Sequence, residues 1–436
     1  MSRTIQKYFK RYVQYPHQIE MSPSQNLGMV VVIPCYNEPD LLATLDSLKQ
    51  AEPPASDVEV LVVINSSTRS PQEHLDQNLK TQDDATLWMK QNNTEHLQVH
   101  VLWHPSLPHK TAGVGTARKI GMDEAVSRLN TIGKPQGLMV CLDADCTVAP
   151  NYLTAIEEEF TRHPKASGAA ISYEHPLEQT PDNSHLQAIE EYELHLRYYV
   201  RALHFAGIQH ACHTVGSTMV VRAENYCQLG GMNRRKAGED FYFMVKLAKT
   251  NASFDLTQTT VFPSPRISLR VPFGTGKAIH SMTQDEQQPS WPTYAPASFL
   301  ALRQVTKALQ TRFSSDPHED QEWLDQQDEN VRLFFTEQEL VQRLDEIRRN
   351  TTSESSFQRR LSQWLDPFVA MKWVHFSRDN GHPNVSVSEA ATWLLNTLEP
   401  SFVPPTHSAT SSRSTTSLLQ AYRDWDRENP LRPTPQ

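Results

Sequence analysis

From Met29 to about Val261, short β-branched runs alternate with stretches whose apolar residues recur at helical spacing. That alternation predicts βαβ units and a mostly parallel sheet. Residues 29–33 read as the first strand, stopped by Pro34, and 38–49 as a helix with Leu41, Leu42, Leu45 and Leu48 on one face. Residues 58–64, 97–102 and 138–142 repeat the strand pattern, and the last runs straight into Asp143. Polar residues follow each strand end, where open α/β sheets bind their ligands. Beyond about residue 290 the strand patterns stop, and 298–310, 336–349, 355–364 and 388–395 predict helices. The acidic stretch 316–329 between them reads as a solvated face, and the Ser/Thr-rich 404–417 as a linker.

Composition narrows the class. A chain of 436 residues exceeds one ordinary core and reads as a large domain with an appendage, or as two domains. Hydrophobic residues at 38%, with Pro 29 against Gly 15, exclude a fibrous or wholly disordered chain. The formal charge of −9 supplies no global attraction for nucleic acid, so no nucleic-acid partner is expected. No stretch approaches the ~18 apolar residues of a membrane span, and the N-terminus lacks the apolar core of a signal peptide. Cys35, Cys141, Cys146, Cys212 and Cys227 are odd in number and form a poor disulfide framework, so a reducing, cytoplasmic location is expected.

The strongest local chemistry is Cys141-Leu142-Asp143-Ala144-Asp145-Cys146, two carboxylates one residue apart after a buried-looking strand. Mg or Mn prefers such hard oxygen ligands and completes its shell with phosphate. In isolation, a solvated turn would look the same. Three further segments supply context: Val30 to Glu38 with Pro34-Cys35-Tyr36-Asn37-Glu38, Ala112 to Gly121 with Gly113, Gly115, Ala117 and Arg118, and Gly238-Glu239-Asp240-Phe241. With these four motifs in order, the sequence resembles the family 2 glycosyltransferases of GT-A fold over roughly residues 28 to 280. Their pattern is Pro-x-Tyr-Asn-Glu, Gly-x-x-x-Ala-Arg-x-x-Gly, Asp-x-Asp and a later Glu-Asp pair.

The resemblance implies an α/β GT-A domain over 28–285, a Rossmann-like mixed sheet flanked by helices. Around it stand a basic, aromatic N-terminal segment over 1–27, an α-helical C-terminal module over 286–400, and a linker with a terminal helix or tail over 401–436. It implies transfer of a sugar, with inversion, from a metal-bound nucleotide-diphosphate sugar to an acceptor hydroxyl. Asp143 and Asp145 would hold the divalent metal, Mn or Mg, with the donor's ribose and diphosphate, and Ala144 lies between them. The metal would neutralise charge on the departing nucleoside diphosphate. Pro34, Tyr36, Asn37 and Glu38 would line the nucleotide site; Asn37 equally suits a helix N-cap. Lys110, Gly113 and Arg118 invite a diphosphate reading at a helix start, though two solvated cations would appear alike. Asp240 would be the general base and Glu239 would orient the acceptor, while both also suit the first turn of any helix.

Two departures bear on specificity. Asn65 stands where relatives carry Asp at the second strand's end, which leaves the choice of nucleotide open. The Gln-x-x-Arg-Trp motif and membrane helices of processive synthases are absent, so one or a few transfers are expected. Arg266 and Arg270 suit a loop over a diphosphate. His280 is a candidate further metal ligand or a structural His. His210, Cys212, His213 and Cys227 lack paired zinc spacing and read as core thiols and imidazoles. The acceptor is expected to be a glycan, a lipid-linked species or a small molecule. Arg3, Lys7, Lys10 and Arg11 among Tyr8, Phe9, Tyr12 and Tyr15 suit either a helix packed on the catalytic domain or one touching anionic lipid. A sugar-phosphate nucleotidyltransferase and a non-catalytic nucleotide- or sugar-binding protein are the alternatives on such a sheet.

Overall fold

The computed structural model describes residues 2–268, 274–284, 290–398 and 411–432. The strands of its large sheet are β1 (Leu27–Cys35), β2 (Asp57–Ser67), β3 (Leu97–Leu107), β4 (Leu138–Cys141), β5 (Cys146–Val148), β6 (Gly168–Tyr173), β7 (Met219–Arg222) and β8 (Ser253–Pro263). The helices among them are α1 (Arg3–Tyr12), α2 (Leu41–Gln50), α3 (Gln72–Asn92), α4 (Val114–Thr131), α5 (Tyr152–Arg162), α6 (Asn183–Phe205), α7 (Ala223–Gln228) and α8 (Glu239–Ala248). The chain divides into two compact units, the first built from Met1–Pro181, Thr214–His280 and Asp426–Gln436, the second from Asp182–His213 and Ser281–Trp425.

The first unit is a mixed sheet in the order β3-β2-β1-β4-β7-β6-β8-β5, flanked by helices. β1, β2, β3 and β4 run parallel, as the alternating pattern predicts. Beyond β4 the sheet changes character, because β7 is antiparallel to both β4 and β6. β1 and β2 are buried along nearly their whole length, which is why they read as unbroken apolar runs rather than as alternation. β1 passes through Pro34 instead of stopping at it. The ladder to β4 ends at the pair Val32 and Cys141, so the missing N–H of Pro34 leaves no sheet bond unmade. The next helix starts at Leu41 with Asp40 as N-cap, and Asn37 takes a left-handed turn (φ 50°) instead of the cap expected for it.

α4 crosses this sheet, with Gly121 lying where any Cβ would overlap Val32 and Val63 of β1 and β2. Every residue from Gly115 to Leu129 is buried, charged ones included. The cover is the N-terminal segment. Tyr8 donates to Asp123 (2.7 Å) and accepts from Lys119 (2.7 Å), the Gln18 amide donates to Glu124 (2.9 Å), and Arg128 reaches the Met21 carbonyl (3.0 Å). The charges inside α4 are thus paired or hydrogen-bonded, as buried charge requires.

The second unit contains α6 with α10 (Pro296–Gln310), α11 (Pro317–Asp325), α12 (Glu329–Glu337), α13 (Leu340–Arg349), α14 (Glu354–Trp364), α15 (Pro367–Asp379) and α16 (Val387–Leu398). The stretch expected as one helix over 336–349 is broken by Glu339, which sits at φ 55°. The acidic stretch is not merely solvated: Asp316 and Glu319 form a capping box, and fully buried Asp320 pairs with Arg312 (3.1 Å) and Arg348 (2.7 Å). Part of the expected linker, from Ser411, is helical (Ser411–Glu428). No described helix is long and apolar enough to cross a membrane.

Candidate active site

The carboxyl ends of β1, β2 and β4 converge, and their turns carry the predicted residues. The left-handed turn at Asn37 aims its backbone N–H at the Asn78 side chain (2.7 Å), and Asn78 in turn donates to the Asn65 carbonyl (3.1 Å). Asn78, fully buried on α3, therefore ties the end of β1 to the end of β2. The Tyr36 hydroxyl lies 2.8 Å from Nδ1 of His74 and donates to Ser70 (3.2 Å), on the turn after β2. Glu38 is buried, accepts from the Asp40 amide (2.9 Å) and pairs with Arg266. Arg266 also holds Asp40 (2.6 Å) and Asp145 (3.3 Å). Burial opposes its charge, but the hydrogen bond it donates to Glu38 and the fields of Glu38, Asp145 and Asp40 leave its pKa above the ordinary value.

Asp143 and Asp145 stand in the tight turn between β4 and β5. The Cys146 amide closes it on the Asp143 carbonyl (3.1 Å), and Thr44 of α2 holds the Ala144 carbonyl (2.9 Å). Both Asp side chains are partly open to solvent, at 35% and 25%. Asp143 is paired from below by Arg118, whose guanidinium also pairs with Glu239. Arg118 is nearly inaccessible, and it lies where a Cβ on Gly216 would stand, so that position must be glycine. Burial works against its charge, and the carboxylates of Asp143, Glu239 and Asp240 more than offset that.

Glu239 and Asp240 open α8, introduced by Gly238 in the left-handed region (φ 76°). Glu239 is fully buried, and its Oε2 has no hydrogen-bond partner among the described residues. Asp240 is half-buried and accepts from the Phe241 amide (2.8 Å). Burial, first, and the neighbouring Glu239 raise its pKa to about 6 against the opposing pull of Arg118.

The glycines at the start of α4 serve protein packing. A Cβ on Gly115 would fall 2.5 Å from the Arg235 carbonyl and 2.8 Å from that of Asn233, and one on Gly113 would fall 2.8 Å from the Lys236 Cα. These contacts seat the segment that delivers Glu239 and Asp240. The segment's other end is pinned as well: the Met232 amide donates to Tyr226 (3.1 Å), and Gly231 makes room for the Tyr8 hydroxyl.

The structure thus brings together Pro34, Asn37, Glu38, Asn65, Asp143, Ala144, Asp145, Arg118, Glu239, Asp240 and Arg266. Tyr36 turns toward His74, Lys110 is exposed, and His280 is half-buried on α9 (Thr275–Gln284). Arg270 lies outside the described residues. Among the described residues no three His, Cys, Asp or Glu side chains converge as a metal cage. Two partly open carboxylates still suit Mg or Mn, which keeps several waters and takes phosphate oxygens rather than a full protein cage. Sequence reading missed Asn78, Gly216 and the 233–236 segment. Only the lone Gly216 before a β-branched run offered a hint.

Residues 30–224 match the sequence model of Glycosyl transferase family 2. Solved structures similar to the chain include S. aureus TarS 1-349 in complex with UDP-GlcNAc, 14% identical over 82% of this chain and 93% of that chain, with a TM-score of 0.39. The same TarS segment alone is 15% identical over 77% and 90%, at 0.38. GalNAc-T7 with UDP, GalNAc and Mn2+ is 14% identical over 66% and 52%, at 0.35. No curated protein sequence matches the chain.

Proposed function

We propose that this chain, whose residues 30–224 match the Glycosyl transferase family 2 model, moves a sugar from a nucleotide-diphosphate sugar to an acceptor hydroxyl, with inversion and without processive elongation. One observation carries the reading: buried Arg118 joins Asp143, on the Asp-x-Asp turn, to Glu239, on the first turn of α8. Donor-side and acceptor-side carboxylates then share one cation and keep a constant spacing. Asp240 is the base. A carboxylate raised to about 6 accepts a hydroxyl proton better than an ordinary Asp and is still mostly ionised at neutral pH.

Asp145 and Asp143 would hold a divalent Mg or Mn together with the donor's diphosphate, and the ion supplies charge neutralisation for the leaving group. Glu38 and Asn65 line the nucleotide end. Arg266, now shared by Glu38, Asp40 and Asp145, is within reach of the same anionic group. Glu239, fully buried, orients the acceptor's neighbours indirectly, by holding Arg118 beside Asp143 and Asp240.

The test is a panel of nucleoside diphosphates and their sugars with Mn, with Mg and with chelator. A ligand at a hundred times its Kd stabilises the folded chain by about 2.7 kcal/mol. A metal-dependent rise in melting temperature with one nucleotide, abolished in Asp145→Ala, is expected. Turnover should release nucleoside diphosphate and vanish in Asp240→Asn. Release of pyrophosphate would make the chain a nucleotidyltransferase, and binding without turnover would make it a binding protein.

A further inference from the structure

We infer that the outward face of α1 and the segment after it form a docking surface for an anionic lipid bilayer. Arg3, Lys7, Lys10 and Arg11 fall at i, i+4, i+7 and i+8, the spacing of one helix face, and all four are exposed. Ile5 and Tyr8 on the opposite face are buried and carry the packing onto the sheet unit. The basic face is therefore not needed to hold the helix down.

None of the four cations pairs with a carboxylate among the described residues. α1 has no acidic residue at all, in a chain whose formal charge is −9. Concentrating positive charge at one end of an acidic protein opposes its overall repulsion from anionic surfaces, and it does so locally, within a Debye length. Charge alone would suit any polyanion. The apolar component decides for lipid: Tyr12 (37% exposed), Tyr15 (38%) and Met21 (50%) are among the few large hydrophobic side chains left open in the described chain, the first ending this helix and the others lying on the segment that follows it. Aromatic and basic residues together are the composition that settles at the headgroup level of a bilayer, whereas a dissolved polyanion gains little from exposed Tyr and Met. The inference stands apart from the transferase reading.

Co-sedimentation of the full chain with vesicles tests it. Pelleting is expected with phosphatidylglycerol-containing vesicles, not with phosphatidylcholine alone, and should be lost in high salt. Arg3→Gln, Lys7→Gln, Lys10→Gln and Arg11→Gln combined should weaken binding about tenfold or more. Tyr12→Ser, Tyr15→Ser and Met21→Ser combined should weaken it severalfold with the charges intact. An unchanged melting temperature in both variants confirms that the fold is untouched; should either melt early, single Gln replacements carry the test. Equal pelleting with both vesicle types, or full binding by the Gln variant, overturns the inference. So does competition by inorganic polyphosphate combined with no effect of the Ser variant, which would mark a general polyanion site.

Discussion

Arg118 holds its charge among three carboxylates, and the Asp240 proton follows from that balance. If Asp240 is the base, as proposed, it must be ionised, so kcat/KM should fall as pH drops through about 6. Glu239→Gln removes a like charge and should move that acid limb to lower pH. Arg118→Met removes the opposing cation and should move it to higher pH. Profiles of kcat/KM against pH for the three proteins check this, and limbs that stay in place would remove Asp240 as the base. Arg118→Met also strands fully buried Glu239, at a cost of about 3–5 kcal/mol measurable by denaturant titration. The raised pKa has its own stability sign. The native state binds this proton more tightly than the unfolded chain, whose Asp titrates near ~3.9, so the contribution present at low pH is lost as pH rises through about 6.

Among the elements, α4 does the most to position the site. Its first turn accepts the 233–236 segment because Gly113 and Gly115 lack side chains, and its middle lies on the sheet because Gly121 does. Gly115→Ala should therefore push the segment that leads to Glu239 and lower kcat about a hundredfold, the effect of misplacing a catalytic group by about 1 Å. Gly121→Ala meets only side chains of Val32 and Val63 and should instead cost about 1–3 kcal/mol of stability. Activity assays beside thermal melts separate the two. Tyr8→Phe removes the hydroxyl between Lys119 and Asp123 and should cost about 1–3 kcal/mol, the usual consequence of leaving buried charge short of a partner.

On the scale of the whole molecule, the sheet unit is assembled from three stretches of chain, the last contributed by the C-terminus. Arg432 binds Asp255 of β8 through its side chain (3.0 Å), and its carbonyl accepts the Asp255 amide (3.0 Å). Arg432→Ala should lower stability by about 1.5–3 kcal/mol, read from denaturant midpoints. No periodicity could have announced that pairing. The strands of the parallel half were legible, because strands buried on both faces must be continuous apolar runs, and so were the four motifs, because their residue types suit few chemistries. Of the helices after residue 290, α10, α14 and α16 were legible to within a few positions for the same reason, since a buried stripe needs its period, whereas α11 and α15 were not foreseen and 336–349 was read as one helix where two meet. The antiparallel turn at β7, the burial of Asp320 and the destination of Arg118 were not. Arg118 and Glu239 meet across 121 positions, and a sequence pattern records which face of an element is apolar but not which distant element covers it. By itself, then, the sequence determined the parallel strands of the sheet and the order of the turns that carry the four motifs. Tertiary structure alone decided that the glycines serve packing and that one buried arginine unites the two carboxylate motifs, because both depend on close approach between segments far apart in the chain.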